Sequence, residues 1–139
     1  MYLKFDKIDL HIIILFSFLI LFNFVNYEIN NYKLVGTWSG ANDSITLSIK
    51  FNDDNSCNFS IRNNSDNVSN MYMGYYEIDN SKEPNLLNIK SIPNLNHGLY
   101  TIYKFNHQSH LLMEQFVDKM KIRPISFSVF GSINLYRTF

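Results

Sequence analysis

The chain has 139 residues, with twelve Lys plus Arg against twelve Asp plus Glu, so its formal net charge is zero. A neutral chain lacks the basic excess that phosphate-backbone binding requires, and nucleic acid is not an expected partner. Its single cysteine, Cys57, excludes an intramolecular disulfide and a thiolate zinc cluster. Asn, Ile, Lys, Phe and Tyr are abundant and Ala41 is the only alanine. The favoured residues share AT-rich codons, which points to an AT-rich genome. Sequons begin at Asn42, Asn58, Asn63 and Asn67, but asparagine is so frequent that chance alone produces several, and no glycosylation is assigned.

Residues 10–25 read LHIIILFSFLILFNFV, interrupted only by His11, Ser17 and Asn23. As a helix they span about 24 Å, slightly less than the hydrocarbon core of a bilayer. Lys4 and Lys7 precede the run as in the n-region of a secretory signal. The residues at and just past its end, Asn23 to Tyr27, offer no pair of small side chains for cleavage. Residues 1–26 are therefore expected to be an uncleaved signal anchor, a transmembrane helix, with a cleaved signal peptide as the alternative. The lysines favour a cytoplasmic N-terminus. A short polar linker, 27–32, would then lead to a domain over 33–139 on the extracytoplasmic side of the membrane, which could be an organellar one, or to a secreted domain after cleavage. The lipid bilayer is the first expected partner.

From residue 34 the dominant period is two, the period of strands. Ile45, Leu47, Ile49 and Phe51 alternate with Thr46, Ser48 and Lys50, and Cys57, Phe59 and Ile61 alternate with Asn58, Ser60 and Arg62. Including 34–40, further runs over 71–79, 86–92, 99–105, 111–116 and 133–138 bring the expected strands to eight. Asn, Asp, Gly and Pro punctuate them, as in an antiparallel sandwich or barrel. Residues 117–123 are irregular, a short helix or an extended loop. Eight meandering strands can close fully and leave an interior filled by side chains or wide enough for one small ligand.

Gly36-Thr37-Trp38 resembles the lipocalin G-x-W motif, and Arg137 resembles the arginine that packs over that tryptophan. More of the chain is similar to an uncharacterised bacterial lipocalin-like domain family. The matching segments are Gly74-Tyr75-Tyr76-Glu77-Ile78-Asp79, Lys82-Glu83-Pro84 with the strand that follows, Gly98-Leu99-Tyr100, Arg123-Pro124-Ile125-Ser126-Phe127 and Arg137. The resemblance implies an all-β, eight-stranded antiparallel lipocalin-like barrel behind one N-terminal hydrophobic helix. Within it, Gly36, Trp38 and Arg137 would form the structural closure. The family's acidic D-G-D turn is Asn106-His107-Gln108-Ser109 here, so no role for an acid pair transfers. Phycobiliprotein chromophore lyases share the eight-stranded form, but no chromophore-site motif stands out in this chain.

Few residues signal chemistry. His107 and His110, with His97 upstream, have no third ligand fixed by spacing, and no metal or other cofactor is expected. Asp53 and Asp54 lie in one turn and cannot flank a cleft as glycosidase carboxylates do. Cys57 is in phase with Phe59 and Ile61 and reads as an inert core thiol. Lys119, Lys121 and Arg123 form the only local basic cluster. Tyr75, Tyr100 and Tyr103 are the candidate ligand-binding residues of the barrel interior, with Tyr72 and Tyr76 beside them. The expected function is a non-enzymatic binding or interaction module for a small hydrophobic ligand. The alternative is a structural barrel that docks on a membrane protein partner; a lyase-like chromophore binder ranks below both.

Overall fold

Alternation of apolar and polar side chains carries the chain through successive strands, and turn-forming Asn and Asp residues separate many of them. In this computed structural model residues 16–17, 33–93, 95–118 and 121–139 are described. The expected leader helix otherwise lies outside them, and among the described residues no helix is long and apolar enough to cross a membrane. Residues 33–139 form one unit. It contains β1 (Gly36–Ala41), β2 (Ile45–Phe51), β3 (Ser56–Asn63), β4 (Ser69–Asp79), β5 (Asn85–Lys90), β6 (Leu99–His107), β7 (His110–Met113), β8 (Val117–Asp118) and β9 (Ile133–Thr138).

These segments make a closed, eight-stranded antiparallel barrel. Each strand from β1 to β6 pairs with the next, β7 pairs with β9, and β9 returns to β1. β8 adds no separate stave, because it and β7 lie along the same edge of β6. Residues 114–116 interrupt that stave as a bulge. There the Glu114 N–H donates to the Ile102 carbonyl at 3.0 Å, while the Glu114 carbonyl leaves the ladder and accepts the Thr101 hydroxyl at 2.6 Å. The single strand expected over 111–116 therefore stops at Met113 and resumes at Val117. β5 ends two residues before the expected 92, because Ser91 takes a left-handed φ of 54°.

One face of each strand fills the interior. Trp38, Leu47, Ile49, Leu87, Ile89, Leu111, Met113 and Leu135 are at most 1% exposed. Large side chains at this density leave little free volume in an eight-stranded barrel. Ile102 is equally buried but stands outside this cluster, on the opposite face of β6 from Tyr103.

The seam between β1 and β9 depends on a glycine. A Cβ on Gly40 would overlap the backbone carbonyl of Asn134, which cannot rotate away as a side chain would. Gly40→Ala is expected to push β9 off β1 and to cost about 3 kcal/mol, the upper end of overpacking penalties. Urea unfolding of the variant beside the parent would show a lower midpoint; an unchanged midpoint would mean that the seam is more compliant than this geometry allows.

Candidate functional site

The meander places the turns at two ends. Lys33 to Gly36, residues 52–55, 80–84 and 108–109 and the C-terminus gather at one end. The turns 42–44 and 64–68, the 91–98 connection and the ends of the β8–β9 connection gather at the other.

The first end is sealed. Trp38 is fully buried, and its Nε1–H donates to the Leu34 carbonyl at 2.7 Å. The Arg137 guanidinium lies 4.4 Å from the indole centre and donates to the carbonyls of Val35 (2.8 Å), Lys33 (2.6 Å) and Gln108 (3.3 Å). One side chain thus ties three carbonyls of two backbone segments, 33–35 and the turn at Gln108, over a tryptophan, with a cation–π attraction of about 0.5–2 kcal/mol in addition. Gly36 is required beside it. Its φ is +131°, and a Cβ there would sit 2.5 Å from an Arg137 nitrogen.

The opposite end is built differently. Ile45, Ile61, Tyr72, Leu95, Leu99 and Phe116 pack against the core but stay half-buried. Tyr72 stacks on Phe59 with ring centres 5.1 Å apart, and Phe116 lies 5.7 Å from the same Phe59 ring. The bulge at 114–116 is what turns Phe116 inward, while the Glu114 side chain is taken up by Ser128. Here an apolar ligand would meet an aromatic wall rather than a charge.

A strap over 121–132 crosses the outer face of the barrel. Arg123 donates to the Thr101 carbonyl at 3.1 Å and the Leu87 carbonyl at 3.4 Å, and also to the Asn88 side chain, while lying 4.9 Å from the centre of the Tyr100 ring. Glu114, 6% exposed, accepts the Ser128 N–H at 2.7 Å and the Ser128 hydroxyl at 2.9 Å. Lys104 lies 5.5 Å from the centre of the Phe127 ring. The strap covers the outer face of β6, on which Ile102 is buried.

Comparison with protein-family models, curated proteins and solved structures finds no match for this chain.

The three candidate tyrosines do not come together. Tyr103 is interior, 1% exposed, and its hydroxyl donates to Asn80 at 2.8 Å near the sealed end. Tyr75 projects outward from β4 and is 58% exposed. Tyr100 projects outward from β6 beneath Arg123. Neither lies in the interior expected for it, because each is one residue out of phase with an inward neighbour, Tyr76 or Leu99. Tyr72, Phe116 and Leu95 are among the residues at the half-buried rim, and the last two sit outside any regular alternation. His107 and His110 face each other across their turn, yet they engage Ser109 and Asn134 respectively. Among the described residues no group of three His, Cys, Asp or Glu could hold a metal ion. Asp54 is an exposed turn residue, held below the usual carboxylate range by hydrogen bonds from the Ser56 hydroxyl and N–H. Of the basic cluster, Arg123 is folded back on the barrel, Lys121 is exposed, and Lys119 lies outside the described residues.

Cys57 is 1% exposed, and burial pushes its thiol up to about 11. Tyr76 and Tyr103 are likewise raised, chiefly by burial. In all three the folded chain holds the proton more tightly than the unfolded chain. Their contribution is therefore intact below the ordinary thiol value of 9.0 and declines as pH climbs toward about 11. The urea midpoint is expected to fall across that range, and iodoacetamide at pH 8 is expected to label Cys57 only after unfolding. Rapid labelling of the folded chain would place the thiol at the surface.

Proposed function

We propose that the chain is a non-enzymatic, membrane-anchored or exported binding module of lipocalin-like type that takes one small, slender apolar ligand. The asymmetry of the barrel ends carries this reading: one end is locked by Arg137 over Trp38, and the other presents half-buried Tyr72, Phe116, Leu95 and Leu99. Small-molecule sites favour such mouths, with apolar and aromatic walls. The filled interior restricts the ligand to a thin chain or a single ring. The full chain in lipid nanodiscs, titrated with a fluorescent fatty acid, is expected to show saturable binding above empty discs. Phe116→Asp is expected to weaken it at least tenfold. No saturable signal above the lipid background would refute the reading, and tight tetrapyrrole binding would replace it with the chromophore-binding alternative.

A second reading, a structural barrel that docks on a membrane protein, is favoured by the strap. Ile122, Ile125, Val129 and Phe130 are each more than 80% exposed, although Arg123 and Glu114 hold their backbone in place. A clustered display of large apolar side chains is characteristic of interaction surfaces. Ile122→Lys with Phe130→Lys would abolish co-purification with such a partner and leave fatty-acid binding unchanged.

A further inference from the structure

Among the described residues, the N-terminal half of β4 leaves one side of the barrel sheet unpaired. Neighbouring residues of a strand turn their backbone groups to opposite sides. The Tyr76 N–H donates to the Asn55 carbonyl on the β3 side at 2.8 Å, so Gly74, Tyr72 and Asn70 also face β3. Ser69, Met71 and Met73 then turn their N–H and C=O groups the other way. On that side the ladder with β5 runs only from Asp79 opposite Leu86 to Tyr75 opposite Lys90. Beyond Lys90, Ser91 takes a φ of 54° and Ile92 is buried in the core. Among the described residues no strand occupies the edge of β4 from Ser69 to Met73.

Natural sheets guard such edges with lysine, proline, inward charges or bulges. This one carries none of them. Residues 67–76 contain no Lys, Arg, Asp, Glu or Pro, and the side chains flanking the edge, Met71 and Met73, are 85% and 62% exposed.

We propose that this edge pairs with the same edge of a second copy of the chain, forming a two-fold dimer with a sheet continuous across two barrels. Antiparallel pairing about Met71 sets Met71 opposite the second copy's Met71, and Ser69 opposite Met73 in both directions. All three residues aim their backbone groups at the seam, so every opposed pair is a hydrogen-bonded one. The register opposes no like charges, because the segment has no charges. It also fits in length: Asn67, with a φ of 57°, turns each chain away before it would meet the other's Lys90. Four methionines then cover the outer face of the seam, and flexible thioethers pack such irregular contacts well. A foreign extended peptide is the other chemistry an edge accepts, and trapping onto a different protein is the result that would reveal it.

Disulfide trapping tests the seam in the full chain, in nonionic detergent and in lipid. Opposed hydrogen-bonded residues have Cα atoms about 5.5 Å apart, within disulfide reach, and the native Cys57 is buried. Met71→Cys is expected to form a covalent homodimer under mild oxidation at least tenfold faster than Ile125→Cys, an equally exposed control on the strap. Sedimentation should show a dimer of the parent chain and a monomer of Met71→Pro. The proline removes an N–H that points to the seam and not to β3, so circular dichroism should stay that of the parent. A monomeric parent at about 100 μM, a dimer insensitive to Met71→Pro, equal trapping at both cysteines, or trapping onto a different protein would each overturn the proposal.

Discussion

Trp38→Ala is expected to lower folding stability by about 3–5 kcal/mol, the cost of removing a fully buried large aromatic. Total stabilities of domains this size are about 5–15 kcal/mol, so the variant should unfold at least about 12 °C below the parent. The loss has separable parts. Trp38→Phe keeps most of the packing against Phe105, whose ring centre lies 5.8 Å away, but it strands the Leu34 carbonyl at a cost of about 1–3 kcal/mol. Arg137→Lys keeps the charge over the indole and loses the planar fork that reaches Lys33 and Val35 together. It is expected to fall between the parent and Trp38→Ala. Denaturant unfolding of the three variants checks the order. A Trp38→Ala cost under about 1 kcal/mol would mean that the tryptophan does not hold this end shut.

The closure was legible through the resemblance of Gly36-Thr37-Trp38 and Arg137 to the lipocalin pattern, and the structure supplies its physical reason, a Gly36 where a Cβ would meet Arg137 and an indole under the guanidinium. The strands were readable because one buried face imposes period two, and β2 and β9 run as expected. Phase was harder wherever both faces of a strand are apolar. On β4, Met71, Met73 and Tyr75 alternate with Tyr72, Gly74 and Tyr76, and nothing local says which set faces inward. On β6 the outward Tyr100 and Ile102 look like core residues, because the strap covers that face. Hence two of the three tyrosines expected in the interior, Tyr75 and Tyr100, face outward. The strap's contacts were not legible locally, although Arg123-Pro124-Ile125-Ser126-Phe127 is part of the resemblance, since Arg123 meets partners 22 to 36 residues away and Glu114 reaches Ser128 across an irregular loop. Glu114 inside the run 111–116 was the local sign, a carboxylate directly after Leu111-Leu112-Met113 that needs donors if it is to be buried.

Residues 1–26 are expected to keep the full-length protein in the membrane. In residues 10–25 each central Ile, Leu or Phe contributes about −0.3 to −0.6 kcal/mol to insertion, several kcal/mol in all, opposed by the smaller penalties of Ser17 and Asn23. Lys4, Asp6, Lys7 and Asp9 lie before the run and Glu28 and Lys33 after it, so no full charge has to enter the hydrocarbon. His11 would then fall at the interface, where a partly hydrated imidazole is tolerated. Neither Asn23 nor any residue from Phe24 to Tyr27 supplies the small side chains a signal peptidase accepts. After carbonate extraction the intact chain is expected in the pellet, and a chain starting at Lys33 in the supernatant. Release of an uncleaved full-length chain would refute the anchor, whereas a mature N-terminus near residue 27 would turn it into an export signal.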